Sequence, residues 1–318
     1  MKILILSNSG NDIRDGKYDK VNNISAVYGY FYYHNMLRYI KDKKLDIELY
    51  IDRLKYSSEI DKEYDHCFVL YNRGIKVMND NNYNKLRSFI KGKILTIAPS
   101  SKIIGKEDVL LCYVGKNKKR CFKINWTADK FELYPEQKKL KKIRILVDHK
   151  YYGKKTSRMY KVDQTEQIIK ALLKYKETNE NIEIIQIQTG SEEGFKIIEK
   201  EEDISEYNRH KATSFKKIFE VYRSASLFFV THPECMGLST LECNMAGCKV
   251  VIPKDFIKDC FSKHLDKIIF DPIEKGEELI LDFNEILRNL NPAKTHRIAH
   301  KKNYYNSVDK IFTNLILK

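Results

Sequence analysis

The sequence predicts two α/β domains, each built on a largely parallel sheet with helices on both of its faces. Three observations lead there. The chain has 318 residues, more than a single hydrophobic core normally organises. Short apolar runs alternate with segments of helical periodicity, the pattern of successive strand–helix units. That rhythm breaks once, at a polar and charged stretch over 132–142 that contains Pro135, and then resumes. These features place a first domain over 1–135, a second over 136–292, and a C-terminal helix over 293–318, which in two-domain architectures of this kind often crosses back to pack on the first.

Residues 3–6 (Ile-Leu-Ile-Leu) read as a buried strand, because the run is too short for a signal peptide and polar residues follow at once. A polar loop over 7–23 leads to a helix over 25–41, with Val27, Phe31, Met36, Leu37 and Ile40 toward the sheet. Strands follow over 47–51, 67–70, 94–98 and 109–113. In open parallel sheets ligands bind beyond the carboxyl ends of the strands, so the loops 7–23, 71–73 and 99–102 share one functional edge. The second domain opens with a strand over 143–147 and a helix over 164–175. A strand over 182–188 then ends at Thr189-Gly190, and a helix over 215–223 precedes a strand over 226–230.

Composition narrows the function classes. No stretch of about eighteen apolar residues occurs, so no membrane-spanning helix is expected. Seven cysteines without paired CxxC spacing indicate reduced thiols in a cytoplasmic protein, a host cytoplasm if the chain is viral, with neither a zinc site nor a disulfide framework. Fifty-eight basic against 43 acidic residues leave +15. That excess has two readings: the compositional drift of an AT-rich genome, or a polyanionic partner such as nucleic acid or an acidic membrane surface. No GxGxxG follows the first strand, and no Walker loop or HExxH is present, which argues against dehydrogenase, NTPase and zinc-protease chemistry.

The segment from Leu227 to Pro253 carries most chemical information: strand, tight loop, short helix, small-residue turn, strand. Its loop, 233–237, delivers the N-terminus of a helix beginning near Leu238, where free backbone amides and the positive end of the helix dipole suit a phosphate. Glu234 precedes that helix and Glu242 lies one to two turns into it, so both carboxylates can accept hydrogen bonds from the vicinal hydroxyls of a sugar or ribose. After the domain's first strand come His149, Lys150, Gly153, Lys154, Lys155 and Arg158, a basic loop able to neutralise a pyrophosphate.

This arrangement resembles the family 4 retaining glycosyltransferases, whose mark is two glutamates with seven residues between them. Here Glu234 and Glu242 are accompanied by Gly237-Leu238, Ala246-Gly247 and Val250-Val251 in the corresponding places. The resemblance implies a GT-B fold, two Rossmann-like domains facing each other across a cleft. It implies that Glu234 holds the donor sugar and acts in catalysis, that Glu242 holds the ribose, and that Gly237, Leu238, Ser239, Gly190 and His149 complete the donor site. Lys150, Lys154 and Arg158 stand where the family has basic residues for the diphosphate, but its Gly-Arg pair is absent. The run Trp126-Thr127-Ala128-Asp129 ahead of Tyr134-Pro135 is similar to the passage between domains in such enzymes.

By the same resemblance the reaction is metal-independent transfer of a hexose, with retention, from a nucleoside diphosphate sugar, UDP-glucose by analogy. No other cofactor is implied. The leaving phosphate assists deprotonation of the acceptor, so no separate base is required. On the acceptor side Asp12, Asp15, His34, His66 and Arg73 are candidates from position alone. A hydroxymethylpyrimidine in DNA, as in phage genomes, fits the basic balance slightly better than a cell-surface glycan or a lipid-linked sugar at an anionic membrane. A non-catalytic nucleic-acid-binding protein on a degenerate transferase fold is a third reading, against which both glutamates argue.

Overall fold

The computed structural model describes residues 1–7, 24–53, 60–70, 79–100, 107–114, 120–123, 133–135, 142–149, 165–188, 191–205, 215–231, 238–254, 265–271 and 281–318. The chain divides into two compact units, one formed by Met1–Thr127 with Asn303–Lys318, the other by Ala128–Lys302.

The first unit holds a six-stranded parallel sheet of β1 (Lys2–Ser7), β2 (Glu48–Arg53), β3 (His66–Val69), β4 (Ile94–Ser100), β5 (Val109–Val114) and β6 (Cys121–Lys123), in the order β2-β1-β3-β4-β5-β6. Continuous apolar runs form these strands because a parallel sheet is covered on both faces. Ile3, Ile5 and Leu6 are fully buried and Leu4 nearly so. Helix α1 (Ile24–Asp42) presents Tyr32, Asn35, Met36, Tyr39 and Ile40 as its buried stripe. Leu37, expected on that face, is 37% exposed. At 100° per residue it falls well outside the arc defined by 32, 35, 36, 39 and 40. The side chains of Val27 and Phe31 lie outside the described residues.

Helix α2 (Asp80–Ser88) and the three-residue β6 are absent from the sequence expectations. Only Leu86 of α2 is buried, so the segment carries no apolar period. Its start is fixed by a cap, the Asn79 side chain accepting the Asn82 N–H at 2.8 Å.

In the second unit β7 (Ile143–Val147), α3 (Thr165–Glu177), β8 (Ile182–Ile187), β9 (Phe195–Ile197), α4 (Phe215–Ser224), β10 (Leu227–Phe229), α5 (Leu238–Met245), β11 (Lys249–Pro253), β12 (Lys267–Phe270) and α6 (Phe283–Arg288) follow in turn. The sheet order is β12-β11-β10-β7-β8-β9, parallel except for the antiparallel edge strand β9. The unit's first strand therefore lies in the middle, and the strand order reverses between β7 and β10. This is the doubly wound order whose switch point opens a crevice at the carboxyl edge. Ile145, Val147, Ile168, Leu172, Ile184, Leu227, Phe229 and Val251 fill the core beneath it. Each such side chain contributes about 1.5–3 kcal/mol.

Helix α7 (Pro292–Ile311) starts with proline at its first position, and the Asn291 side chain accepts the Lys294 N–H at 3.0 Å. Its end and the π-helical turn Phe312–Ile316 belong to the first unit. There Phe312 stacks on Tyr39 (5.0 Å between ring centroids, 19° between planes), the Tyr39 hydroxyl donates to Asp309 Oδ1 at 2.6 Å, and Lys93 Nζ donates to the Leu315 carbonyl at 2.7 Å. Among the described residues no helix is long and apolar enough to cross a membrane.

Candidate functional site

The site is built where β7 and β10 leave the sheet side by side, Val147 opposite Phe229. The residues that follow are Asp148-His149 on one strand and Val230-Thr231 on the other. Thr231 is fully buried and its hydroxyl donates to the His149 carbonyl at 3.4 Å, which ties the two strand ends together. Asp148 Oδ1 accepts the His149 backbone N–H at 2.8 Å and lies 3.7 Å from His149 Nδ1. Both side chains keep part of their surface open, 13% for Asp148 and 23% for His149.

Beside them, Gln186 of β8 is fully buried. Its Nε2 donates to the carbonyls of Asp148 (3.1 Å) and Ser205 (3.4 Å), and its Oε1 accepts the Ser205 N–H at 2.8 Å.

Helix α5 brings the second set of groups. Its N-terminus follows β10 at the same edge, so the unbonded amides of its first turn face the carboxyl side of the sheet. Ser239 is half-buried and Thr240 fully buried. Glu242 is only 5% exposed, and burial pushes its carboxyl up to about 8; among the described residues no neighbouring cation opposes that shift. The next residue, Cys243, is fully buried. Burial, a hydrogen bond to the Cys248 thiol, and the charges of Glu242 and Asp148 all hold the Cys243 thiol protonated. The Glu242 carboxyl of α5 and the Asp148 carboxyl past the end of β7 thus both lie near one buried thiol.

The other end of α5 is closed by a Schellman motif: Cys248 N–H bonds to the Cys243 carbonyl (2.8 Å) and Gly247 N–H to the Asn244 carbonyl (3.0 Å). Gly247 takes φ +84°, and a Cβ there would stand 2.9 Å from Pro135 Cβ and 3.0 Å from Pro292 Cβ. Buried Asn244 donates to the carbonyls of Cys248 (3.0 Å) and Asp266 (3.1 Å) and accepts the Asp266 N–H (2.7 Å). Asp266 in turn accepts from the Thr295 hydroxyl at 2.6 Å and pairs with Lys249 at 3.7 Å. This network anchors the helix from behind.

Of the residues expected from the sequence, the structure describes His149 just past β7, and Ser239 and Glu242 on α5, which Leu238 opens. Glu234, Gly237, Lys150, Lys154, Arg158, Gly190, Asp12, Asp15 and Arg73 lie outside the described residues. His66 is not at a functional edge. It stands at the amino end of β3, where its Nδ1 accepts the Lys93 N–H at 3.0 Å; burial and then the Lys93 charge lower its proton affinity. The ring supports a turn, packed so closely that a Cβ on Gly92 would come within 2.5 Å of it. His34 is set in α1 about 15 Å from the helix start by helical rise, edge-on to Tyr33 at 5.3 Å.

Asp148, Thr231, Gln186 and Asn244 were not singled out from the sequence. A polar residue inside an otherwise isoleucine-rich strand was the available signal for Gln186. Two cavities among the described residues, about 570 Å³ beside Lys2, Tyr64 and Lys91 and about 600 Å³ beside Ile143, Tyr175 and Arg288, lie at the opposite, amino ends of the two sheets. Among the described residues no group of three or more His, Cys, Asp or Glu is placed to hold a metal ion.

No protein-family model matches the sequence, and no curated protein matches it. Solved structures do. Anabaena HepE, crystallised with UDP and glucose, superposes with a TM-score of 0.50 at 10% identity, covering 99% of each chain. A glycosyltransferase from Rickettsia africae gives a TM-score of 0.50 at 10% identity over 100% of this chain and 98% of the other. The likeness spans both units, and the chain has the GT-B fold.

Proposed function

We propose that the protein is a glycosyltransferase that moves a hexose, glucose from UDP-glucose, to an acceptor hydroxyl with retention at the anomeric carbon and without a catalytic metal. The observation that carries this reading is the buried carboxyl of Glu242 on α5, the helix that follows β10. Burying a carboxyl is costly, and the hydroxyl pair of a ribose offers it hydrogen-bond donors. The short helix directs its amides toward the same edge, where a diphosphate takes the charge they leave uncompensated. Glu234, eight positions earlier, is assigned the donor sugar, and Lys150, Lys154 and Arg158 the leaving diphosphate. The UDP bound by HepE is consistent with that donor.

For the acceptor we propose a hydroxymethylated pyrimidine in DNA. The net charge of +15 supports a polyanionic partner, and phosphate contacts make binding fall steeply with salt. The test is transfer from a panel of nucleotide sugars to DNA containing hydroxymethylcytosine or hydroxymethyluracil, read as a nucleoside heavier by one sugar after digestion. Transfer is expected with UDP-glucose, undiminished by EDTA and reduced at least about a hundredfold in Glu234→Ala, as for loss of a group acting in the transition state. Donor binding or hydrolysis without DNA transfer would move the acceptor to glycans or lipid-linked sugars. Absence of donor binding would overturn the transferase reading.

A further inference from the structure

Gln186 is the fully buried polar member of the strand Ile-Glu-Ile-Ile-Gln-Ile (182–187), and it is placed in the sheet directly beside β7. An amide buried there is unfavourable unless every bond it offers is used. Its bonds go to main chain that the sheet ladder no longer serves. Leu146 pairs with Ile185, so Gln186 stands level with Val147, the last residue of β7. The Asp148 carbonyl, one step past the strand, is taken by Gln186 Nε2 at 3.1 Å. The same amide brackets Ser205 through both its carbonyl (3.4 Å) and its N–H (2.8 Å). One side chain therefore fixes the point at which β7 leaves the sheet toward His149, and ties it to Ser205 beyond the turn 201–203.

We propose that Gln186 is a positioning residue for the nucleotide-sugar site, holding the Asp148-His149 peptide so that His149 is presented to the donor's diphosphate. The inference rests on the reading of this edge as a nucleotide-sugar site. His149 is held from three directions: Asp148 Oδ1 takes its N–H, Thr231 takes its carbonyl, and Gln186 takes the carbonyl of the preceding residue. Among the described residues that directly follow β7 and β10 (Asp148, His149, Val230 and Thr231) it is the cationisable side chain. The titratable group beside it is Asp148, which in turn lies close enough to Cys243 of α5, the neighbour of Glu242, to raise that thiol's proton affinity.

The test uses Gln186→Met and Gln186→Glu in the full chain, with UDP as the probe. Methionine keeps the volume and offers no amide. UDP affinity is expected to fall about tenfold, with amide exchange accelerated at Asp148-His149 and at Ser205 and unchanged in β10 and β11. Glutamate separates positioning from general packing. When protonated it still donates one hydrogen bond and accepts one, whereas as a carboxylate it has no donor for the Asp148 carbonyl. The ratio of variant to wild-type UDP affinity is therefore expected to recover toward one in Gln186→Glu as the pH falls from 8 to 5.5, and to stay flat in Gln186→Met. Comparison as a ratio cancels pH effects common to both proteins. Wild-type affinity in Gln186→Met, or a pH-independent ratio in Gln186→Glu, would overturn the proposal. Wild-type protein that binds neither UDP nor another nucleoside diphosphate would instead overturn the nucleotide-sugar reading, and the inference with it.

Discussion

Glu242 carries a measurable consequence of its burial. Its carboxyl is pushed from the ordinary 4.5 up to about 8 in the folded protein, so the native state holds a proton that the unfolded chain releases near 4.5. The sign follows by linkage. The stability associated with that proton is fully present below the unfolded value, and it is lost as pH rises through the folded one. A glutamine at this position is nearly isosteric and neutral throughout, so in Glu242→Gln the melting temperature should exceed that of the wild type by a margin that grows from pH 5 to pH 8.5. A margin independent of pH, measured without ligand by calorimetry, would contradict the assignment. The same residue shows what is legible at this scale. Spacing of glutamates along the chain located Glu242, because a helix start and a small-residue turn flank it in sequence. It left Gln186 and Asn244 unremarked, since their partners, Asp148, Ser205 and Asp266, are between 19 and 38 residues away.

For α5 the decisive position is its stop. Gly247 adopts φ +84° and packs against two proline rings that have little freedom to move. An L side chain in the left-handed region costs about 1–2 kcal/mol, and the contacts at 2.9 and 3.0 Å add to it. Gly247→Ala should destabilise the protein by about 2 kcal/mol or more, as a lower urea midpoint with unchanged slope. An effect below about 0.5 kcal/mol would show that the turn readjusts freely. Elements with strong periodicity were legible in the sequence: every strand made of four or more apolar residues was located to within a residue or two, because burial on both faces writes itself as a continuous run. Helix α2 was not, since one buried leucine in nine residues leaves no period, and its start depends on an asparagine cap. The ends of strands were harder still. His66 and Leu70 are four residues apart, yet one stands at the amino edge and the other beyond the carboxyl edge of β3.

At the scale of the whole molecule, the return of 303–318 to the unit formed by the first 127 residues makes that unit discontinuous in sequence. Val308, Ile311 and Phe312 are fully buried in it. Removing the Phe312 ring from Tyr39 should cost about 3–5 kcal/mol, the usual range for a buried aromatic. In Phe312→Ala, urea-dependent amide exchange should accelerate for peptides covering 66–70 and hold for peptides covering 143–147. Equal acceleration in both would mean that the units unfold together, and no change in 66–70 would remove the C-terminal turn from that core. The sequence by itself determined the α/β class, the restart of the strand–helix rhythm after residue 142, and the strand–helix–strand order around Glu242, because each is written in local burial periodicity and turn chemistry. Tertiary structure decided which strands are neighbours, that β7 and β10 meet at the switch point, and that Gln186 reaches Asp148. Those are relations between residues far apart in the chain, set by register and packing that no local pattern encodes.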